Sequence, residues 1–339
     1  MHIIDLILNV TILFIMMVPG VILKRCNLCS DTFGKGISNL VLFIAQPCLI
    51  VYGYLSCTES FAEIWVGCLV TLALSFVSHT VFALVAIPVF KKAPDGARRI
   101  LRFATVFSNS AYMAIPLIQA LIDAPGSTVA PTAVVYATIY NITFNLFLWT
   151  LGVKICTDGK DEDVEGEGNQ SASSPSALKR VLTHPVTIAS AIGLALLILG
   201  INLEDVASAR LGIISDSLLM LKNLVAPLSM VVIGLRLAEI DMKGFFKDVY
   251  MYVFLALRHL ALPFTVTVIM VGLSLIIPID TNVALVISIM ASAPAATAAT
   301  MFAEKYDCDA SYASRIVSVS TILCIATMPL MASLAQTLL

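Results

Sequence analysis

The chain of 339 residues is 59% hydrophobic and only 12% charged, and its net charge is −2. A water-soluble domain carries about 25% charged residues, so this composition excludes a soluble globular protein and predicts lipid as the main solvent. The few basic residues lie between apolar stretches, which excludes a nucleic-acid partner.

Ten apolar stretches are long enough to cross a bilayer as helices, for which about 20 apolar residues suffice. The first has no preceding Lys or Arg and is too long for a cleaved signal peptide, so we interpret it as a membrane helix. The predicted spans are residues 4–23, 36–56, 62–90, 99–122, 131–156, 181–200, 212–237, 249–277, 282–304 and 312–338. The pattern predicts an all-α membrane protein with about ten transmembrane helices.

Basic residues mark one side of the predicted membrane. They cluster in every second loop, for example Lys24 and Arg25 after span one and Lys91 and Lys92 after span three, whereas the other loops are mainly acidic. Loops rich in Lys and Arg stay on the cytoplasmic side. We therefore expect a multi-pass protein of the cell membrane with both termini outside and the loop between spans five and six inside.

The loop at residues 157–180 contains the acidic, Gly/Ser-rich run DGKDEDVEGEGNQSASSPS. This composition cannot bury apolar surface and predicts a disordered cytoplasmic linker. It divides the chain into five spans at 1–156 and five at 181–339. Because five is odd, the second half enters the membrane from the opposite side, so two related halves would be inverted repeats, a common plan of secondary transporters.

Two prolines occupy matching positions in the two halves. Pro116 in span four and Pro294 in span nine each follow a stretch rich in small residues and serine. A proline inside a helix removes a backbone hydrogen bond, and corresponding interruptions point to a transporter's binding site. If each proline opens a second half-helix, two helix N-termini meet near the membrane centre, which suits an anion and particularly a carboxylate.

Polar side chains within the spans supply further candidates. Hydrogen bonds between helices are the alternative role for the neutral ones, and snorkelling to the interface is the alternative for Lys222. His79 and His259 are candidates for coupling to protons, with a structural role as the alternative. The predicted substrate-binding set is Asn109, Pro116, Asn141, Asn145, Ser292, Pro294, Lys222 and Asn223.

The remaining sequence patterns give no sign of a metal site, a cofactor or catalysis. Eight cysteines are scattered, and Cys26 and Cys29 form a lone CxxC without partner ligands, so neither a metal nor a cofactor is predicted. No catalytic constellation or nucleotide-binding motif is present, which predicts a protein that is not an enzyme. Arg258, in span eight, is interpreted as an interface marker if that helix overhangs the membrane.

Four segments, taken in order, resemble the auxin efflux carrier family, which includes plant PIN-type carriers and bacterial carriers of malate-like acids. They are SNLVLFIAQP in span two, SNSAYMAIPL in span four, RHLALP in span eight and APAATAATMFAEKY in span nine. Ala114 replaces a glycine that is usual in the family. Ala299 and Asn223 replace a proline and an aspartate of the plant carriers, and the short middle loop is similar to that of bacterial-type members.

The resemblance implies ten helices in two inverted repeats, with broken helices four and nine that cross. It also implies a substrate carboxylate at the crossing, near Asn109 and a polar residue of helix five, for which Asn141 is the nearest match. We expect a secondary transporter, by efflux or exchange, of small organic anions. The alternative is a membrane ligand sensor with the same fold. Coupling to protons, to sodium or to neither is left open, as is a homodimer.

Overall fold

The computed structural model describes residues 3–30, 32–157, 177–206, 212–238 and 248–339. Most of the predicted linker lies outside these residues, and its described ends, at 157 and 177–180, belong to helices. The helices of the first half are α1 (Ile3–Ile15), α2 (Val18–Arg25), α3 (Phe33–Leu55), α4 (Phe61–Val89), α5 (Asp95–Val106), α6 (Ser110–Asp123) and α7 (Thr132–Thr157).

The second half is also helical, and no strand occurs in the described ranges. Its helices are α8 (Ala177–Leu182), α9 (Pro185–Ile198), α10 (Leu203–Val206), α11 (Gly212–Lys222), α12 (Val225–Leu237), α13 (Val249–Ser274), α14 (Thr281–Ser292), α15 (Ala298–Lys305) and α16 (Ala310–Leu338). Helices dominate because a backbone in lipid must satisfy its own hydrogen bonds.

Seven helical stretches in the described residues are long and apolar enough to cross a membrane. The other three predicted spans coincide with the shorter apolar helices α6, α9 and α14. Large apolar side chains such as Leu69, Leu72 and Phe76 of α4 are exposed, as expected for a surface in contact with lipid. A multi-pass membrane protein is confirmed, whereas the count of ten and the inverted repeats stay predictions.

The interrupted helices lie in the interior of the molecule. Helix α14 packs against α7, α13 and α16, and all its residues from Val283 to Ser292 are buried. Helix α5 packs against α4 and α16, and its residues from Arg99 to Val106 are buried. Longer helices thus separate α5 and α14 from lipid. Polar backbone groups at the interrupted ends of α5 and α14 can therefore be tolerated.

Prolines are accommodated by wider helical turns. Three of the four π-helical turns among the described residues end just before the dipeptides Gln46–Pro47, Ile115–Pro116 and Leu262–Pro263. A proline has no N–H to donate and its ring clashes with the carbonyl four residues earlier. A π turn places one extra residue in the turn and relieves that clash, so these helices continue instead of breaking.

Candidate functional site: the crossing of two interrupted helices

Two short extended segments meet in the middle of the fold. Residues 107–109 separate α5 from α6, and residues 293–297 separate α14 from α15. The segments pair antiparallel through Ser108 and Ala295. The Asn109 N–H donates to the Pro294 carbonyl at 2.7 Å, and the Ala296 N–H donates to the Phe107 carbonyl at 2.9 Å. The interruptions that the sequence predicts in spans four and nine are therefore present, and they contact each other.

The predicted role of the two prolines needs a correction. Pro294 lies inside the extended segment, but α15 begins at Ala298. Helical backbone in α6 begins at Ser110, six residues before Pro116, because the π turn absorbs that proline. The breaks are placed by pairing between the two extended segments, so neither proline is the first residue of its second half-helix.

Asn109 occupies the N-terminal cap of α6. Its side chain is 2% exposed, and its Nδ2 has no hydrogen-bond partner. Next to it, Ser110 Oγ donates to Asn141 Oδ1 at 2.9 Å, and Asn145 Nδ2 donates to the Asn141 carbonyl at 2.9 Å. Gln46 of α3 donates to the Ala111 carbonyl. Five predicted or neighbouring polar residues thus lie at or near the start of α6, and one of their amide nitrogens, Asn109 Nδ2, is unsatisfied.

A cavity of about 650 Å³ opens beside the same helix start. It reaches Tyr112, three residues after Asn109, and Thr300 in α15. Arg236 of α12 donates to Thr300 Oγ1 at 2.7 Å. The charged side chains in its wall are Lys24, Lys35, Arg236, Lys305 and Glu304. With four cations and one anion, the wall favours a negatively charged solute.

A family model described as membrane transport protein matches residues 5–332. The chain belongs to this family of membrane transport proteins. The match covers nearly the whole chain and confirms the resemblance to the auxin efflux carrier, PIN-like family. A comparison with curated proteins finds no match. The molecule is therefore a membrane transporter.

Arg258 and His259 of α13 support the transporter's crossing through hydrogen bonds. Arg258 is fully buried and donates through Nη2 to the Ala293 carbonyl at 2.8 Å and through Nη1 to the Thr105 carbonyl at 3.2 Å. Arg258 therefore lies inside the protein at the crossing, and not on an exposed helix overhang. A charge inside an apolar stretch was the available signal, since buried ionisable groups in membranes are usually functional.

His259, a predicted coupling residue, is hydrogen-bonded on both ring nitrogens. Nε2 lies 2.8 Å from Ser320 Oγ, and Nδ1 lies 3.0 Å from Thr327 Oγ1. Ser320 Oγ also accepts the Ala295 N–H at 2.9 Å, and the Thr327 hydroxyl donates to the Leu323 carbonyl. A neutral ring with its proton on Nδ1 satisfies this network, a tautomer assigned from the hydrogen bonds. His259 therefore supports the crossing through Ser320.

His79, the other coupling candidate, lies among aromatic rings. Its ring centroid is 5.2 Å from those of Tyr140 and Phe147, and Nδ1 lies 2.7 Å from the Ser75 carbonyl. Its Nε2 has no partner. Ser292, from the binding set, donates to the Ser288 carbonyl within α14 at 2.6 Å. Both residues are buried but neither reaches the paired segments through its side-chain hydrogen bonds.

Lys222 and Asn223 lie at a different place. Lys222 Nζ is 3.1 Å from Asp123 Oδ1 and 4.7 Å from the centre of the Tyr52 ring. Asp123 ends α6, so this pair lies about 20 Å from Asn109 at a helical rise of about 1.5 Å per residue. Asn223 follows in an exposed turn. Lys222 and Asn223 are thus at the opposite end of α6 from Asn109 and Asn141.

Proposed function

We propose that the transporter is a secondary active carrier of small organic anions such as carboxylic acids, and that it binds the carboxylate at the crossing beside Asn109. The buried, unpartnered Nδ2 of Asn109 carries this proposal. A buried donor without an acceptor costs about 1–3 kcal/mol, which a bound carboxylate oxygen would recover. The N-terminus of α6 adds N–H groups and a partial positive charge at the same place.

The basic cavity supports an inner approach to this site. Lys24, Lys35, Arg236 and Lys305 all belong to loops or helix ends that the charge pattern predicts to be cytoplasmic. Their combined field raises the local concentration of anions before binding. We propose that solutes enter and leave this cavity in the conformation seen here, in a protein of the cell membrane with both termini outside.

Alternating access requires that the opposite side be closed when the cavity is open. At the far end of α6, the Lys222–Asp123 ion pair joins that helix to α11. We propose that this contact closes the outer path, and that the crossing moves as a unit because two backbone hydrogen bonds join its halves. The proposed carrier would be driven by a proton or sodium gradient, and it would work as a homodimer.

The test is flux through the purified transporter in lipid vesicles. A panel of labelled small carboxylates is offered with an imposed proton gradient, an imposed sodium gradient or neither. We expect saturable uptake of at least one carboxylate, and the gradient that drives accumulation identifies the coupling ion. Carboxylate binding without flux under all three conditions would replace the carrier with a ligand sensor, and absence of both would reject the crossing as an anion site.

A further inference from the structure

The guanidinium of Arg258 is a buried charge that no carboxylate neutralises within the part of the chain that the structure describes. Among the described residues, the ion pairs involve Arg98, Arg99 and Lys222 but not Arg258. Its Cζ lies 5.4 Å from the centre of the Phe82 ring. A buried charge without a counter-charge is costly, so another source of negative potential must stabilise it.

That source is a pair of helix ends. Thr105 is the next-to-last residue of α5, and Ala293 is the C-terminal cap of α14. Each helix C-terminus carries about half a negative charge on its last carbonyl groups. Arg258 donates one hydrogen bond to each of these two carbonyls. One guanidinium therefore balances the C-termini of both first half-helices, and its planar fork suits two separate acceptors.

The two second half-helices, α6 and α15, have no acidic residue in their first turns. Helices α6 and α15 begin at the same crossing, and each N-terminus carries about half a positive charge. With both C-termini balanced by Arg258, the crossing keeps an excess of about one positive charge. The carbonyls that bind Arg258 and Asn109 are those of the adjacent residues Ala293 and Pro294, which places the guanidinium within about 10 Å of the Asn109 backbone.

We infer that Arg258 is a positioning and charge-setting residue, which makes the crossing select a ligand group with a single negative charge over its neutral isostere. The inference rests on the proposed function, because it concerns the ligand of that same site. Arg258 does not touch the ligand in this account. It cancels the negative helix ends that would otherwise oppose an anion bound at the positive ones.

The experiment compares matched charged and neutral probes. Thermal unfolding of the detergent-purified transporter is titrated with propionate, benzoate and phenylacetate and with propionamide, benzamide and phenylacetamide, which gives an apparent affinity ratio for each pair. We expect Arg258→Gln to lower the carboxylate-to-amide ratio about tenfold or more, since the lost charge acts within roughly 10 Å in a low dielectric. Arg258→Lys should keep the preference, because it keeps the charge.

Arg99→Gln is the matched control. Arg99 is also buried, and it also donates to backbone carbonyls, those of Cys156, Tyr306 and Asp307, but it lies near the other end of α5 and pairs with Asp95. Arg99→Gln should leave the carboxylate-to-amide affinity ratio unchanged.

The outcomes separate the two hypotheses. If no carboxylate stabilises the unmodified transporter, the proposed function falls and this inference falls with it. If carboxylates do bind and Arg258→Gln keeps their preference over amides, the inference alone is overturned. Should Arg258→Gln not fold, the lysine variant decides, because loss of the preference with the charge retained would equally overturn the inference.

Discussion

The backbone N–H of Asn109 donates a 2.7 Å hydrogen bond to the carbonyl of Pro294, so the interruptions of two helices from opposite halves of the chain are one structural unit. This bond turns the Asn109 backbone toward the partner segment, while its side-chain amide nitrogen stays buried and without a hydrogen-bond partner. If α6 moved relative to α14, this hydrogen bond would have to break, and otherwise the two segments must move together. The geometry of the proposed anion site is therefore set jointly by both halves.

Asn109→Ala should lower carboxylate flux at least tenfold, because it removes the amide that is free to donate to the carboxylate. Asn109→Asp should lower it further, since a fixed negative charge would repel the substrate. Flux into vesicles at matched protein levels measures both. Asn202→Ala is the control, because that side chain is exposed just before α10 and its hydrogen bond is to Asp205 in the same turn. Unchanged flux in the Asn109→Ala variant would show that the carboxylate does not bind at Asn109.

Arg236→Gln should raise KM about fivefold or more with little change in kcat, because Arg236 lines the cavity and binds Thr300 at the start of α15 without touching the paired segments. Initial rates across substrate concentrations, at low and high salt, measure this. The salt dependence should weaken together with the affinity.

Arg98→Gln serves as the control for the cavity charge, since Arg98 pairs with the exposed Asp95 and does not line the cavity. An effect of equal size in both variants would show that general surface charge, and not the cavity, sets the affinity.

The Lys222–Asp123 pair should behave as a coupled unit. Lys222 is 5% exposed and Asp123 is 49% exposed, so removing Asp123 leaves a buried ammonium that keeps only the Tyr52 ring. We expect Asp123→Asn to destabilise the transporter, and a double-mutant cycle with Lys222→Met to give a coupling energy of about 0.5–3 kcal/mol. Unfolding in detergent measures the cycle. Strictly additive effects would contradict an outer contact that holds α6 to α11.

His79→Gln and His259→Gln should both leave the pH midpoint of transport unchanged. The hydrogen bonds of His259 satisfy a neutral ring, Arg258 next to it opposes a second positive charge, and His79 is enclosed by aromatic rings. His259→Gln should still lower the rate, because the link through Ser320 to Ala295 is disturbed. A pH–rate profile tests each variant, and a shifted midpoint in either would instead identify that histidine as the proton carrier.

Gly234→Ala should destabilise the fold by about 1–3 kcal/mol through overpacking. A Cβ on Gly234 would lie 2.1 Å from the Met17 carbonyl oxygen, and one on Gly20 would lie 2.2 Å from that of Val231, so α2 and α12 touch backbone to backbone. Small residues permit such close contacts between membrane helices. Gly272→Ala is the control, because nothing lies near its Cβ position. Equal unfolding temperatures for the two variants would contradict this prediction.

The apolar stretches by themselves determined the helices, because lipid leaves a long apolar segment no other way to satisfy its backbone. The order of the segments around Asn109 and Pro294 was sufficient to predict the family and that spans four and nine are interrupted. Pro116 was misleading, since a local rule about proline cannot tell whether a helix breaks there or absorbs the residue in a π turn.

Only the tertiary structure decided where span four opens and which charges belong together. Residues 107–109 give up helical bonds because residues 293–297 supply replacements, and that exchange depends on a partner far away in the chain. Arg258 looked like an interface residue, and Lys222 like a residue of the substrate site or the interface. In the folded protein Arg258 donates to the carbonyls at two helix ends, and Lys222 pairs with Asp123. Local sequence fixes which groups need partners, whereas the fold alone brings those partners within hydrogen-bonding distance.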